Sequence, residues 1–157
     1  MNEVEGFVQL DEAQSSQNVQ VEIPELNVLQ TVQTDKDGRA VLNFKLNKAT
    51  LWSPENPKRY KVKLMTGKSE LSDLIGFRSI ETKGADILLN GKSIFLRGIS
   101  IHEEIGSRND RAWSAEDARL LLNRAKELNC NFVRLAHYPH NENMIRMADE
   151  LGLMVWS

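Results

Sequence analysis

The stretch FVRLAHYPHNENM, Phe132 to Met144, decides how the second half of the chain is read. An apolar run through Ala136 brings Arg134, His137, Tyr138, Pro139 and His140 to one place, and Asn141 then offers a side-chain oxygen where a helix begins. Met144, Ala148 and Leu151 recur at helical spacing behind that cap, and Gly152 is placed to end the helix. Leu153 to Trp156 follows as another strand. Upstream, Ser114 stands three residues before Asp117, a capping-box spacing, ahead of Ala118, Leu121, Leu122, Ala125 and Leu128 on one helical stripe. Asn131 to Ala136 therefore lies between two helices. A hairpin signal precedes the first: Ile87-Leu88-Leu89, then Asn90-Gly91, then Ile94-Phe95-Leu96. Strand, helix, strand, helix, strand in close succession predicts parallel pairing with right-handed crossovers. Arg97 to Ser100 leads into His102 as Arg134 to Ala136 leads into His137, and Trp156-Ser157 ends the third strand. All three strand ends point the same way, to the face where an α/β sheet or barrel binds its ligands.

Before Lys83 the hydrophobic period is two. Val19, Val21 and Ile23 alternate with polar residues, as do Ala40, Leu42, Phe44 and Leu46 after Asp35-Lys36-Asp37-Gly38, and Tyr60, Val62 and Leu64 before Thr66-Gly67-Lys68. Short antiparallel strands joined by tight turns, each with one buried face, predict a β-sandwich of immunoglobulin-like type. Leu51-Trp52-Ser53-Pro54-Glu55-Asn56-Pro57 breaks the alternation because its prolines remove ladder donors, so it reads as an irregular crossing with Trp52 as an apolar anchor. The expected organisation is all-β followed by α/β: a sandwich over 1–82 and a parallel β/α domain over 83–157.

The 157 residues are 41% hydrophobic and 27% charged, with a formal net charge of -2, a globular composition. Basic and acidic residues are interspersed, with no stripe that would bind nucleic acid, and no apolar run approaches membrane-spanning length. The lone Cys130 sits in the apolar approach to a strand and reads as buried and structural. The chain opens in a strand-like segment without a leader pattern, and its compartment, cytoplasmic or periplasmic, stays open.

The polar residues at the strand ends admit plain structural roles beside functional ones. His137 is either satisfied by backbone in its loop or turned to a ligand, and Tyr138 before Pro139 is either a packing residue or part of the site. His137 and His140 flank Pro139, which prevents the helical geometry that would put both on one metal, and no Cys or acidic residue has ligand spacing. His102-Glu103-Glu104-Ile105-Gly106 lacks the second histidine of a zinc-protease helix. Glu103 and Glu104, adjacent in a loop, are expected to point apart and stay solvated. Arg97, Arg108 and Arg111 are expected to be solvated or ion-paired. Trp113 reads equally as a staple before the helix cap and as a sugar platform.

Phe95-Leu96-Arg97-Gly98-Ile99-Ser100-Ile101-His102-Glu103, Asn131 to Pro139 and Asp149 to Trp156 together closely resemble the family-two glycoside hydrolases, the β-galactosidases, β-glucuronidases and β-mannosidases. Leu51 to Pro57 and Ile75-Gly76-Phe77-Arg78 resemble the same family where its sandwich hands over to its catalytic barrel. The resemblance implies an immunoglobulin-like sandwich, short of its first strand, followed by about three strands and two helices of a (β/α)8 TIM barrel. It implies that Arg134 holds the nucleophilic carboxylate, that His137 lines the sugar pocket and that His102 faces the substrate. Ser100 departs from the Asn usual in the family's RGxN motif. The implied chemistry is retaining hydrolysis by two carboxyl groups about 5 Å apart. In the family both are glutamates from later barrel strands, so none of the acidic residues here matches either role and the chain alone is expected to be inactive. A β-galactosidase is the expected parent, with β-glucuronidase and β-mannosidase as alternatives, and a non-catalytic sandwich module binding carbohydrate or protein as a different class. The expected partner is a β-linked sugar, with neither nucleic acid nor membrane, and homo-oligomerisation through the open barrel edge is a further reading. No cofactor is expected in this stretch, and a divalent cation in the parent is left open.

Overall fold

A computed structural model describes residues 3–11, 17–67 and 69–157. Two compact units form: one from the chain up to Thr50 with Arg59–Phe77, the other from Leu51–Lys58 with Arg78–Ser157.

The first unit is antiparallel throughout. Its strands are β1 (Glu3–Gln9), β2 (Asn18–Ile23), β3 (Val28–Gln33), β4 (Arg39–Lys45), β5 (Tyr60–Thr66) and β6 (Ser69–Ile75). They form a four-stranded sheet in the order β3-β2-β5-β6 and a β1-β4 pair, the immunoglobulin-like sandwich that alternation predicts. Val19, Val21 and Ile23 fill its core with Ala40, Tyr60 and Val62. Asp35 makes the turn before β4 by accepting from the amides of Asp37 and Arg39, each at 2.9 Å, and Gly38 takes the left-handed conformation at φ 76°. The β5–β6 turn was expected at Thr66-Gly67-Lys68, of which Lys68 lies outside the described residues. Alternation does not single out β3, whose inward row includes Gln30, or β6, whose apolar residues Leu71, Leu74 and Ile75 follow no period of two.

The second unit begins with a three-stranded antiparallel sheet of β7 (Ile80–Lys83), β8 (Asp86–Leu89) and β9 (Lys92–Ser93). Asn90 and Gly91 both take positive φ, 53° and 77°, as the hairpin reading requires. The return strand is only Lys92–Ser93, shorter than the expected Ile94-Phe95-Leu96, of which Ile94 adds one bond to the Ile87 carbonyl. Next come β10 (Gly98–Ile101), the small hairpin β11 (Glu104–Ile105) and β12 (Asp110–Arg111), α1 (Ala115–Glu127), β13 (Phe132–Leu135), α2 (Glu142–Leu151) and β14 (Met154–Trp156). The order β10-β13-β14 is parallel, and Ser100, Arg134 and Trp156 share one cross-strand row. This is the start of the TIM-barrel pattern.

Local chemistry explains both helices. Ser114 and Asp117 form the full capping box of α1, and Asn141 caps α2 by accepting from the Asn143 amide. Gly152 ends α2 at φ 73°, where a Cβ would lie 2.4 Å from the Pro54 carbonyl oxygen. The stripe of α1 buries Ala118, Leu121, Leu122 and Ala125 against Val133, Met144 and Leu153, but Leu128 departs from it. That residue is the C-cap, where the helical turn has ended, and it is 65% exposed. Cys130 is buried, as expected. Trp52 is wholly buried in the second unit, its indole N–H donating to the Asp149 carbonyl at 2.8 Å. Gly98 lets β10 approach β13, since a Cβ there would fall 2.6 Å from the Phe132 carbonyl oxygen.

Candidate functional site at the strand ends

The carboxyl ends of β10, β13 and β14 gather His102, Arg134, His137 and Trp156. The Arg134 Nη2 lies 3.1 Å from His137 Nδ1. A guanidinium only donates, so Nδ1 is the acceptor and the hydrogen of a neutral His137 ring sits on Nε2. The Arg134 guanidinium also lies 5.5 Å from the Trp156 ring, which narrows the orientations open to it. His102 meets His137 edge-on at 5.6 Å between ring centroids. The three residues singled out from the sequence, His102, Arg134 and His137, thus stand together although 35 positions separate the outer two. The peptide between Ala136 and His137 is cis.

Behind them lies a second layer whose central residue, Glu103, departs from expectation. Glu103 was expected to be solvated; it is 1% exposed, while Glu104 beside it faces outward. Its Oε2 accepts from Arg111 Nε at 2.8 Å and Nη2 at 2.6 Å, and its Oε1 accepts from the Asn141 amide at the head of α2. Its own amide donates to the Tyr138 hydroxyl at 3.0 Å. The signal for this burial is a period of two that runs on past β10: Ile101, Glu103 and Ile105 all point inward, and the middle one is acidic. Burial there is tolerable because the Arg111 fork and a backbone N–H meet the carboxylate.

Tyr138 is the hinge between the layers. Its ring stacks on His140 at 5.0 Å and tilts against His102 at 6.0 Å. The His140 side chain is buried, with Nε2 placed 3.0 Å from the Ala136 carbonyl and Nδ1 without a hydrogen-bond partner, 3.9 Å from Glu103 Oε1. An open cleft of about 830 Å³ borders this cluster, lined by Glu104, Asn109, Asp110, Arg111 and Tyr138 among others.

The remaining arginines behave as read. Arg108 makes a bidentate pair with Asp117 at 2.8 and 2.9 Å. That guanidinium is the main reason the Asp117 carboxyl is held down to about 2, with burial opposing and the Ser114 and Trp113 amides assisting. Trp113 is 64% exposed. Among the described residues no group of three or more His, Cys, Asp or Glu is placed to hold a metal ion, and no helix is long and apolar enough to cross a membrane. Chemically, the front layer offers two imidazoles and a guanidinium fork to hydroxyls or to a carboxylate.

Comparison with known proteins agrees with this architecture on both units. The family described as "Glycosyl hydrolases family 2, TIM barrel domain" matches residues 80–157, and "Glycosyl hydrolases family 2" matches residues 3–78. The β-galactosidase of Halalkalibacterium halodurans is 35% identical over 130 residues, 79% of this chain and 13% of that protein. The β-galactosidase of Pectobacterium atrosepticum is 34% identical over 123 residues, 74% of this chain and 12% of that protein. The crystal structure of a β-galacturonidase from Eisenbergiella tayi bound to galacturonate matches with a TM-score of 0.77 at 29% identity, covering 98% of this chain and 28% of that one. The chain spans between 10% and 17% of the length of the curated relatives it matches.

Proposed function

This chain belongs to family 2 of the glycosyl hydrolases, and from that membership we propose that the protein carrying it is a retaining β-glycosidase of the β-galactosidase kind, for which these residues supply binding and orientation. The observation that carries the reading is the meeting of His102, Arg134 and His137 at the parallel strand ends, with Arg134 bonded to His137 and braced by Trp156.

Retaining hydrolysis needs one carboxyl to protonate the glycosidic oxygen and a second, about 5 Å away, to attack the anomeric carbon. Water then cleaves the glycosyl-enzyme with the first group acting as base. In this reading both carboxyl groups come from outside these 157 residues. Arg134 directs its fork at the nucleophile, favouring its ionised form. In this reading the His137 Nε2–H and the His102 ring bond sugar hydroxyls. The parallel edges of β10 and β14 suit completion of the barrel by further strands of the same protein, or pairing with another copy.

The test is release of nitrophenol from p-nitrophenyl β-galactoside by the intact protein that carries this chain, beside the 157-residue chain alone. Turnover is expected from the first and none from the second, and clear turnover by the chain alone would overturn the assignment of both carboxyl groups to other segments. A β-uronidase, including the β-glucuronidase reading, is the second possibility, supported by the likeness to the Eisenbergiella β-galacturonidase. Turnover of the p-nitrophenyl uronide with none of the galactoside would select it.

A further inference from the structure

A carboxylate taken wholly out of water gives up its hydration, and an apolar residue of similar volume often serves stability as well or better. Glu103 is therefore poorly explained as a stabiliser alone. Its bonds are informative because of what they connect. Those of the carboxylate run to Arg111 in β12 and to the Asn141 amide that opens α2, while the Glu103 backbone amide donates to the Tyr138 hydroxyl and its carbonyl accepts from the Ala112 amide at 2.9 Å. His102 directly precedes Glu103, and His137 directly precedes Tyr138. One residue thus fastens the loop after β10 to the loop after β13, each of which carries one of the two front imidazoles.

We propose that Glu103 is a positioning residue: its buried carboxylate, through Arg111 and the head of α2, and its backbone amide, through Tyr138, together set the separation and tilt of the His102 and His137 rings. The proposal rests on the sugar-binding reading of those two histidines for its functional meaning, though not for its geometry. Tyr138 transmits the constraint, since its hydroxyl is fixed by the Glu103 amide while its ring lies against His102. His140 serves as an internal reporter. Its Nε2 faces a carbonyl that only accepts, so Nε2 carries the hydrogen, and Nδ1 looks across 3.9 Å at Glu103 Oε1.

His102, His137 and His140 are all the histidines of the chain, so its imidazole spectrum reads this cluster and nothing else. In the 157-residue chain labelled with ¹⁵N-histidine, Glu103→Gln keeps the side-chain shape but puts an NH₂ against one of the two donors. The ring signals of His102 and His137, assigned by single His→Gln variants, are expected to shift in a chain that circular dichroism still finds folded. Leu122→Val, a core change in α1, is expected to lower the melting temperature and leave those signals in place. Unmoved His102 and His137 signals in Glu103→Gln would overturn the proposal. If Glu103→Gln fails to fold, Tyr138→Phe removes only the linking hydroxyl and must shift the His102 ring; no shift is the overturning result there too. In the intact protein kcat/KM should fall about 10²-fold with Glu103→Gln, the scale of a misplacement near 1 Å, and stay unchanged with Leu122→Val. An unchanged value for Glu103→Gln would count against positioning. Absence of glycoside turnover in the unsubstituted protein would strike at the glycosidase reading alone, and the imidazole shifts would still decide the role of Glu103.

Discussion

Each unit holds a carboxylate facing a cation, and the two pairs live in different solvents. Glu22 and Lys63 sit opposite one another on β2 and β5, 3.1 Å apart, with both side chains about 30% exposed. Glu103 and Arg111 are 2.6 Å apart, but the Glu103 side chain is wholly buried while Arg111 remains 60% exposed. The first pair can come apart and each partner still finds water. In the second, loss of Arg111 leaves a charge with only the Asn141 amide and nearby dipoles to satisfy it. The sandwich uses its ion pair as an accessory to strand pairing, whereas the strand-end cluster depends on its pair for its shape.

The sharpest way to break this contrast is Arg111→Ala, which leaves the Glu103 carboxylate buried with only the Asn141 amide to satisfy it. Removal of one partner of a buried pair predicts a loss of about 3–5 kcal/mol in unfolding free energy, measured by urea titration. A loss below the exposed-pair range would mean that the cluster is wetter than its geometry implies. Converting Glu103 and Arg111 together to Met should recover part of that loss, because the desolvation cost then disappears with the charges. Next in size is Ser114→Ala, which removes the hydroxyl accepting from the Asp117 amide and should cost about 1 kcal/mol by the same titration.

Asp117 and Arg108 lie between the two extremes, with side-chain exposures of 7% and 48%. The Asp117 carboxyl is depressed from 3.8 to about 2 in the fold. The unfolded chain therefore binds the proton first, so this group's stabilisation is complete above about pH 4 and is lost as pH falls toward 2. Unfolding titrations across that range should show stability falling with acid, and Arg108→Gln should flatten that fall. The smallest effect is expected at Glu22–Lys63. A double-mutant cycle there should return a coupling of about 0.2–1 kcal/mol that salt reduces further.

How far the sequence could be read follows the same division. The capping box at Ser114 and Asp117, the Asn90-Gly91 turn, the Asn141 cap and the Gly152 stop were all visible, because each joins groups within a few residues of one another. Alternation found β2, β4 and β5, where one face is apolar, and passed over β3 and β6, where Gln30 or an irregular apolar spacing breaks the rhythm. The front of the site was legible too. Succession of strands and helices implies parallel order, and parallel order puts His102, Arg134 and His137 at one set of strand ends.

What only the tertiary structure decided is the layer behind them. The sequence by itself determined that Glu103 follows His102; it did not determine that β12 and the first turn of α2 would close over the carboxylate and exclude water. The Glu103–Asn141 bond spans 38 residues and the Tyr138 hydroxyl bond 35. Whether a carboxylate is solvated depends on which distant atoms surround it once the chain has folded, and no local period or spacing carries that quantity.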